Sequence, residues 1–98
     1  MPRVVYAPEA LADIRRLYRF LSQKDAQAAA EAIRAIRQAL RLLSAHPEAG
    51  RPVRERPAAF REWVIEYGES GYVALYTFDG TECVVLAIKH QREMGYAR

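Results

Sequence analysis

The sequence holds one cysteine, Cys83, in 98 residues. No disulfide can form within the chain, and its apolar neighbours mark Cys83 as a small core residue. Histidine is nearly as scarce, with only His46 and His90. Two imidazoles and one thiol do not make the four-ligand cluster of a structural zinc site, so no metal and no other cofactor is expected. Lysine occurs only at Lys24 and Lys89, which leaves arginine to carry the basic charge. The arginine fork suits phosphate or carboxylate, although a GC-rich genome produces the same bias. Charge of neither sign dominates: 15 Lys+Arg stand against 12 Asp+Glu, a net +3. That mild excess is compatible with a nucleic-acid or an acidic protein partner and selects neither. Long apolar runs are missing too. No segment approaches the roughly 20 apolar residues of a membrane span, and the opening "MPRVVYAPEA" has no apolar signal core. No membrane association is expected, and the expected location is the cytoplasm.

What is present points to a folded chain. Hydrophobic residues make up 51% and charged residues 28%, enough apolar surface to form a core. The length leaves room for one domain over residues 1–98. "RVVYA" (3–7) is β-branched and aromatic and reads as a first strand. Pro8 and Glu9 suit the first turn of a helix. Leu11, Ile14, Leu17, Tyr18 and Leu21 recur at helical spacing, which predicts a helix over 8–22. Asp25 is positioned to cap a second helix over about 25–45, with Ala29, Ile33, Ile36, Leu40 and Leu43 on one stripe. Arg34, Arg37 and Arg41 form another stripe about 100° round the same helix, either a solvated flank or a docking surface for an acidic partner.

"HPEAGRP" (46–52) stops the helix, and the hydrophobic period then changes from 3.6 to 2. "FREWVIEY" (60–67), "YVALYTF" (72–78) and "ECVVLAIKH" (82–90) alternate as strands, separated by turns at "GESG" and Asp79-Gly80. The unbroken apolar run in the last strand implies burial on both faces and an interior place in the sheet. The expected fold is α+β, in the order β-α-α-β-β-β. An antiparallel sheet carries the N-terminal α-helical hairpin on one face, where the apolar stripes of the helices can be buried.

The element order, the break "HPEAGRPV", the strand "SGYVALYTF" and the end "VVLAIKHQREMGY" together resemble the ParE/RelE superfamily of toxins from type II toxin–antitoxin modules. The resemblance covers about residues 3–96. It implies a cytoplasmic growth inhibitor of the plasmid-stabilisation kind, silenced by a cognate acidic antitoxin. The RelE-like branch implies a ribosome-dependent endoribonuclease acting on messenger RNA, and the ParE-like branch implies a binding toxin directed at DNA gyrase. A ribonuclease needs a base, a phosphate-holding cation and an acid. The RelE-like pattern places a basic residue after the last strand and a tyrosine six residues on, which His90 and Tyr96 match. Arg92 would then hold phosphate charge, and Glu62 or Glu66 would supply a base. Against this, Val73 stands where RelE-like members carry an arginine, and the low lysine count suits a ribosomal site poorly. Many ParE-like members also carry arginine at the position of Val73, so a non-toxic relic that only binds antitoxin is a third reading. The ParE-like reading is favoured. Target or partner contacts are expected at Arg61, Lys89, His90 and Arg92 and at the helical Arg34, Arg37 and Arg41. The resemblance further implies that Arg61, His90, Arg92 and Tyr96 gather on one exposed concavity. The oligomeric state is left open.

Overall fold

The computed structural model describes residues 2–93, 95 and 96. Strand β1 (Arg3–Tyr6) leads into helix α1 (Pro8–Ser22) and helix α2 (Ala26–Arg41), followed by a single 3-10 turn over Leu42–Ser44. A two-residue strand β2 (Arg51–Pro52) precedes the meander of β3 (Phe60–Tyr67), β4 (Ser70–Phe78) and β5 (Glu82–His90). The fold is α+β, as the sequence pattern predicts.

Helix α1 starts at Pro8, whose fixed φ and missing N–H suit a first turn. It buries Ala10, Ile14 and Leu17 together with a carboxylate, Asp13. Helix α2 is capped by Asp25, whose Oδ1 accepts from the backbone N–H groups of Gln27 (3.0 Å) and Ala28 (3.2 Å). Its buried residues, Ala29, Ala32, Ile36 and Leu40, follow the 3.6-residue period. Trp63 packs against the core and donates its indole N–H to the carbonyl of Ala39, fastening α2 to β3. Cys83 is buried in the same core.

The sheet runs β1-β5-β4-β3-β2. The meander is antiparallel, while β1 pairs parallel to β5 with Arg3 opposite Glu82, which makes the sheet mixed. The expectation of an antiparallel sheet therefore holds for β2 to β5 and is corrected at β1. Both helices lie on one face, over Ile65, Tyr72, Ala74, Tyr76, Val85 and Ile88.

One irregularity decides which way the end of β5 faces. Opposite the step from Leu75 to Tyr76, β5 advances from Ala87 to Val85, so Leu86 is an inserted bulge residue. Before the bulge Cys83 and Val85 face the helices. After it the parity changes, so Ile88 and His90 face the helices and Lys89 faces the open side.

Candidate functional site

His90 pairs with Tyr72 across the sheet and lies edge-on to its ring, with centroids 5.4 Å apart. Its Nδ1 accepts the backbone N–H of Arg92 (3.1 Å), which leaves Nε2 to carry the proton and donate it to Ser70 Oγ (2.9 Å). Both ring nitrogens of this neutral tautomer are engaged within the protein. Arg92 is exposed beside it.

The turn after β5 is tied back to α1. Glu93 Oε2 accepts from Arg16 Nη1 at 2.9 Å, and Glu93 Oε1 accepts the backbone N–H of His90 at 2.8 Å. Arg16 Nη2 also reaches the carbonyl of Ile88 (3.4 Å), and Asp13 Oδ2 accepts the N–H of Ile88 (2.8 Å). These contacts take over the edge of β5 where β1 has ended, since β1 pairs only as far as Val85. Beside them a groove of about 660 Å³ opens between α1 and the ends of β4 and β5. Leu17, Phe20, Leu21 and Tyr72 form its apolar wall, and Arg16 and Arg92 stand on its rim.

Tyr96 lies on the opposite face. Its hydroxyl donates to Glu62 Oε2 at 2.6 Å, and Lys89 Nζ sits 4.9 Å from its ring centroid. Burial, followed by the hydrogen bond to Glu62, pushes the Tyr96 phenol well above its ordinary value of 10.0. Glu62 is also ion-paired with Arg51 at 3.1 Å. Glu66 is exposed further along β3. The floor of this open face is apolar, with Val73 and Leu75 each 4% exposed.

The single concavity implied by the resemblance is therefore not formed. His90 and Arg92 belong to the helix side, Tyr96 and Glu62 to the open side, and Gly95, with φ +67°, turns the chain between them. The bulge at Leu86 is the physical reason, because it reverses the facing of His90 relative to Val84. Arg61 stands apart from both groups. It pairs opposite Tyr76, about 13 Å along β4 from Tyr72, and its Nη1 donates to the carbonyls of Glu48 (2.9 Å) and Gly50 (2.7 Å). Those bonds give Arg61 the work of holding the loop after α2.

Arg34, Arg37 and Arg41 are all exposed on α2. The Arg37 guanidinium lies 5.5 Å from the centre of the Tyr6 ring on β1. Burial raises the Tyr6 phenol, and Arg37 and Arg41 oppose that shift.

The sequence reading missed Asp13, Arg16, Phe20 and Glu93. Asp13 had a legible signal, since it places a charge on the Ala10–Ile14–Leu17 stripe of α1. Phe20 had none, because helical spacing does not say that a ring at the edge of a stripe stays 68% exposed. Among the described residues, no helix is long and apolar enough to cross a membrane.

Comparison with known proteins matches the chain over residues 4–95 to the family described as the ParE toxin of the type II toxin–antitoxin system, parDE. A solved structure described as a chromosomal ParDE TA system from P. aeruginosa is similar, with 25% sequence identity and a TM-score of 0.76. The similarity covers 92% of this chain and 96% of that one. No curated protein matches.

Proposed function

We propose that this chain is a toxin that acts by binding, and the premise is its family: it belongs to the ParE toxins of type II toxin–antitoxin systems. DNA gyrase is the proposed target, and a cognate acidic antitoxin is the proposed neutralising partner. The observation that carries the reading is the division of the candidate catalytic residues between two faces of the sheet. A general acid or base needs a titratable atom within reach of substrate, and both nitrogens of His90 already have protein partners. Tyr96 donates to a carboxylate and holds its proton tightly. The buried Val73 offers no charge to a phosphate. A phosphodiester laid on the open face would meet the exposed Glu66, a Glu62 whose charge is already paired with Arg51, and Lys89 beside the Tyr96 ring.

The surfaces available for contact are cationic and aromatic. Arg34, Arg37 and Arg41 present three guanidinium groups on α2, and Arg16 and Arg92 rim the apolar groove beside α1. Acidic partners are steered to such surfaces and held there by apolar anchors.

One specific observation favours a second reading. The Tyr96 hydroxyl and the Glu62 carboxylate, 2.6 Å apart with Lys89 adjacent, form an acid–base pair that an RNA 2′-hydroxyl can approach on the open face. Induced expression tests both readings. The binding reading expects growth arrest with SOS induction and DNA breaks while messages stay intact. Rapid loss of translated messages over intact DNA, abolished by Tyr96→Phe, overturns it in favour of ribonuclease action. Unimpeded growth overturns both and leaves a relic that binds only antitoxin.

A further inference from the structure

We propose that the outer surface of the helical hairpin binds the phosphate backbone of duplex DNA. This rests on the toxin reading above for its setting, since a topoisomerase holds duplex DNA beside any protein bound to it, and it deepens that reading by naming a second partner and the surface that meets it.

Charge is distributed unevenly along the chain. Residues 8–41, the two helices and their link, hold seven of the 15 Lys+Arg and four of the 12 Asp+Glu, so they carry the whole net +3 and the remaining residues are neutral in sum. Two of those four carboxylates are engaged inside the fold: Asp13 accepts the Ile88 N–H, and Asp25 caps α2. The cations divide in the same way. Arg16 is paired with Glu93, Arg51 is paired with Glu62, and Arg61 holds loop carbonyls. Arg15, Arg19, Arg34, Arg37 and Arg41 are exposed, and among the described residues none of them has a carboxylate partner. The excess positive charge therefore lies on the hairpin and is left for a partner.

The arrangement of these arginines suits phosphates. Arg15 and Arg19 lie two residues to either side of the buried Leu17, about 160° round α1 from it, so both face away from the core. Arg34, Arg37 and Arg41 follow the stripe of α2 that flanks its buried residues. From Arg34 to Arg41 the helix rises about 10 Å, a distance over which one strand of B-form DNA advances about three phosphates. The Arg37 guanidinium is held 5.5 Å from the Tyr6 ring centroid, which leaves the N–H edge of its planar fork open to a pair of phosphate oxygens. Arg37 and Arg41 both favour the charged form of the Tyr6 phenol, so two guanidinium groups converge there. An acidic polypeptide needs apolar anchors as well as carboxylates. Outside the groove, the one large apolar side chain exposed on α1 or α2 among the described residues is Tyr18, whose hydroxyl can itself donate to phosphate. Phosphate contacts carry no sequence information, so the surface is expected to bind duplexes of any sequence alike.

The test is fluorescence anisotropy of a labelled DNA duplex of about 20 base pairs with the purified chain, at about 50 to 200 mM salt. Two unrelated sequences are expected to bind equally, with log K falling against log salt at a slope of about −3 to −4, close to one phosphate neutralised per guanidinium. Arg34→Gln, Arg37→Gln and Arg41→Gln together are expected to weaken binding about tenfold or more at the low-salt end and to flatten the slope by about 2 to 3. Arg3→Gln, Arg54→Gln and Arg56→Gln remove the same charge from exposed positions outside the hairpin. That second triple is expected to change affinity less than about threefold, with circular dichroism confirming that both variants are folded. Equal losses in the two variants overturn the surface assignment, since net charge alone then explains binding. A strong preference between the two sequences overturns the backbone contact. Absence of binding at about 100 μM protein in low salt, or tighter binding of polyglutamate or single-stranded RNA than of the duplex, overturns the choice of DNA. Gyrase poisoning by a chain that fails these tests leaves the toxin reading standing, whereas DNA binding without gyrase poisoning removes that reading and keeps this surface.

Discussion

Tyr76 carries its hydroxyl away from the core into the loop after α2. The ring is 0% exposed, and the hydroxyl donates to the Pro47 carbonyl (2.8 Å) and accepts the Gly50 N–H (3.0 Å). Together with Arg61 on the Gly50 carbonyl, it fixes a stretch that proline and glycine otherwise leave irregular. Tyr76→Phe leaves a buried N–H unsatisfied and is expected to cost about 1–3 kcal/mol in chemical denaturation. Gly50→Ala reaches the same spot from the other side. An added Cβ lies 2.5 Å from Tyr76 Oη and 2.8 Å from the Glu62 carbonyl, and the overpacking is expected to cost about 1–3 kcal/mol by the same measurement. The phenols of Tyr6, Tyr72, Tyr76 and Tyr96 are all raised, with burial the first cause in each. The folded chain therefore holds these protons more tightly than the unfolded chain does. Their contribution is fully present below pH 10 and is lost as pH rises through the folded values. Urea midpoints are expected to stay level as these phenols approach pH 10 from below and to fall above it. Tyr96→Phe, which removes the largest of these shifts, should reduce the fall.

At the scale of elements, the edge of β5 shows how the helices and the sheet depend on each other. Where β1 stops, Asp13 and Arg16 of α1 meet the N–H and carbonyl of Ile88. Asp13→Ala is expected to lose about 1–3 kcal/mol and, in hydrogen exchange, the protection of the Ile88 amide, while the α2 amides keep theirs. Much of this level was legible in the sequence. The helix over 8–22 appears as Pro8–Ser22, and the Asp25 cap sits where the residue type places it. The last strand runs over 82–90 as its pattern indicates. The parallel pairing of β1 was not legible, because Arg3 and Glu82 are brought together by the whole intervening chain and no local period records it. The parity of His90 was hidden for another reason. Val84, Val85, Leu86, Ala87 and Ile88 are apolar throughout, so alternation carries no mark of the bulge. That one inserted residue separates His90 from Tyr96 and takes apart the concavity the resemblance implied.

For the whole molecule, the sheet divides two kinds of surface. The helix side presents an apolar groove rimmed by Arg16, Arg92 and Glu93, and the open side presents Glu62 paired with Arg51, Arg56, Lys89 and Tyr96. The family was legible as a resemblance carried by the element order and by the break and end segments, and the family match over residues 4–95 bears it out. The distribution of residues between the faces required the register. Replacing Arg34, Arg37 and Arg41 together by glutamate is expected to cost about 1–2 kcal/mol, because Arg37 leaves the Tyr6 ring and an acid replaces Arg41 in the last turn of α2, and to leave the fold intact, since all three are exposed. The same change should weaken an acidic antitoxin mainly through its association rate, as salt titration of binding kinetics will report. The most direct measurement is a plasmid supercoiling reaction with purified gyrase and increasing amounts of this chain, run beside translating ribosomes treated with the same preparation. Loss of supercoiling with accumulation of cleaved plasmid, and intact messages on the ribosomes, is the predicted result. Unimpaired supercoiling at saturating protein, with messages cut on the ribosomes, contradicts the account.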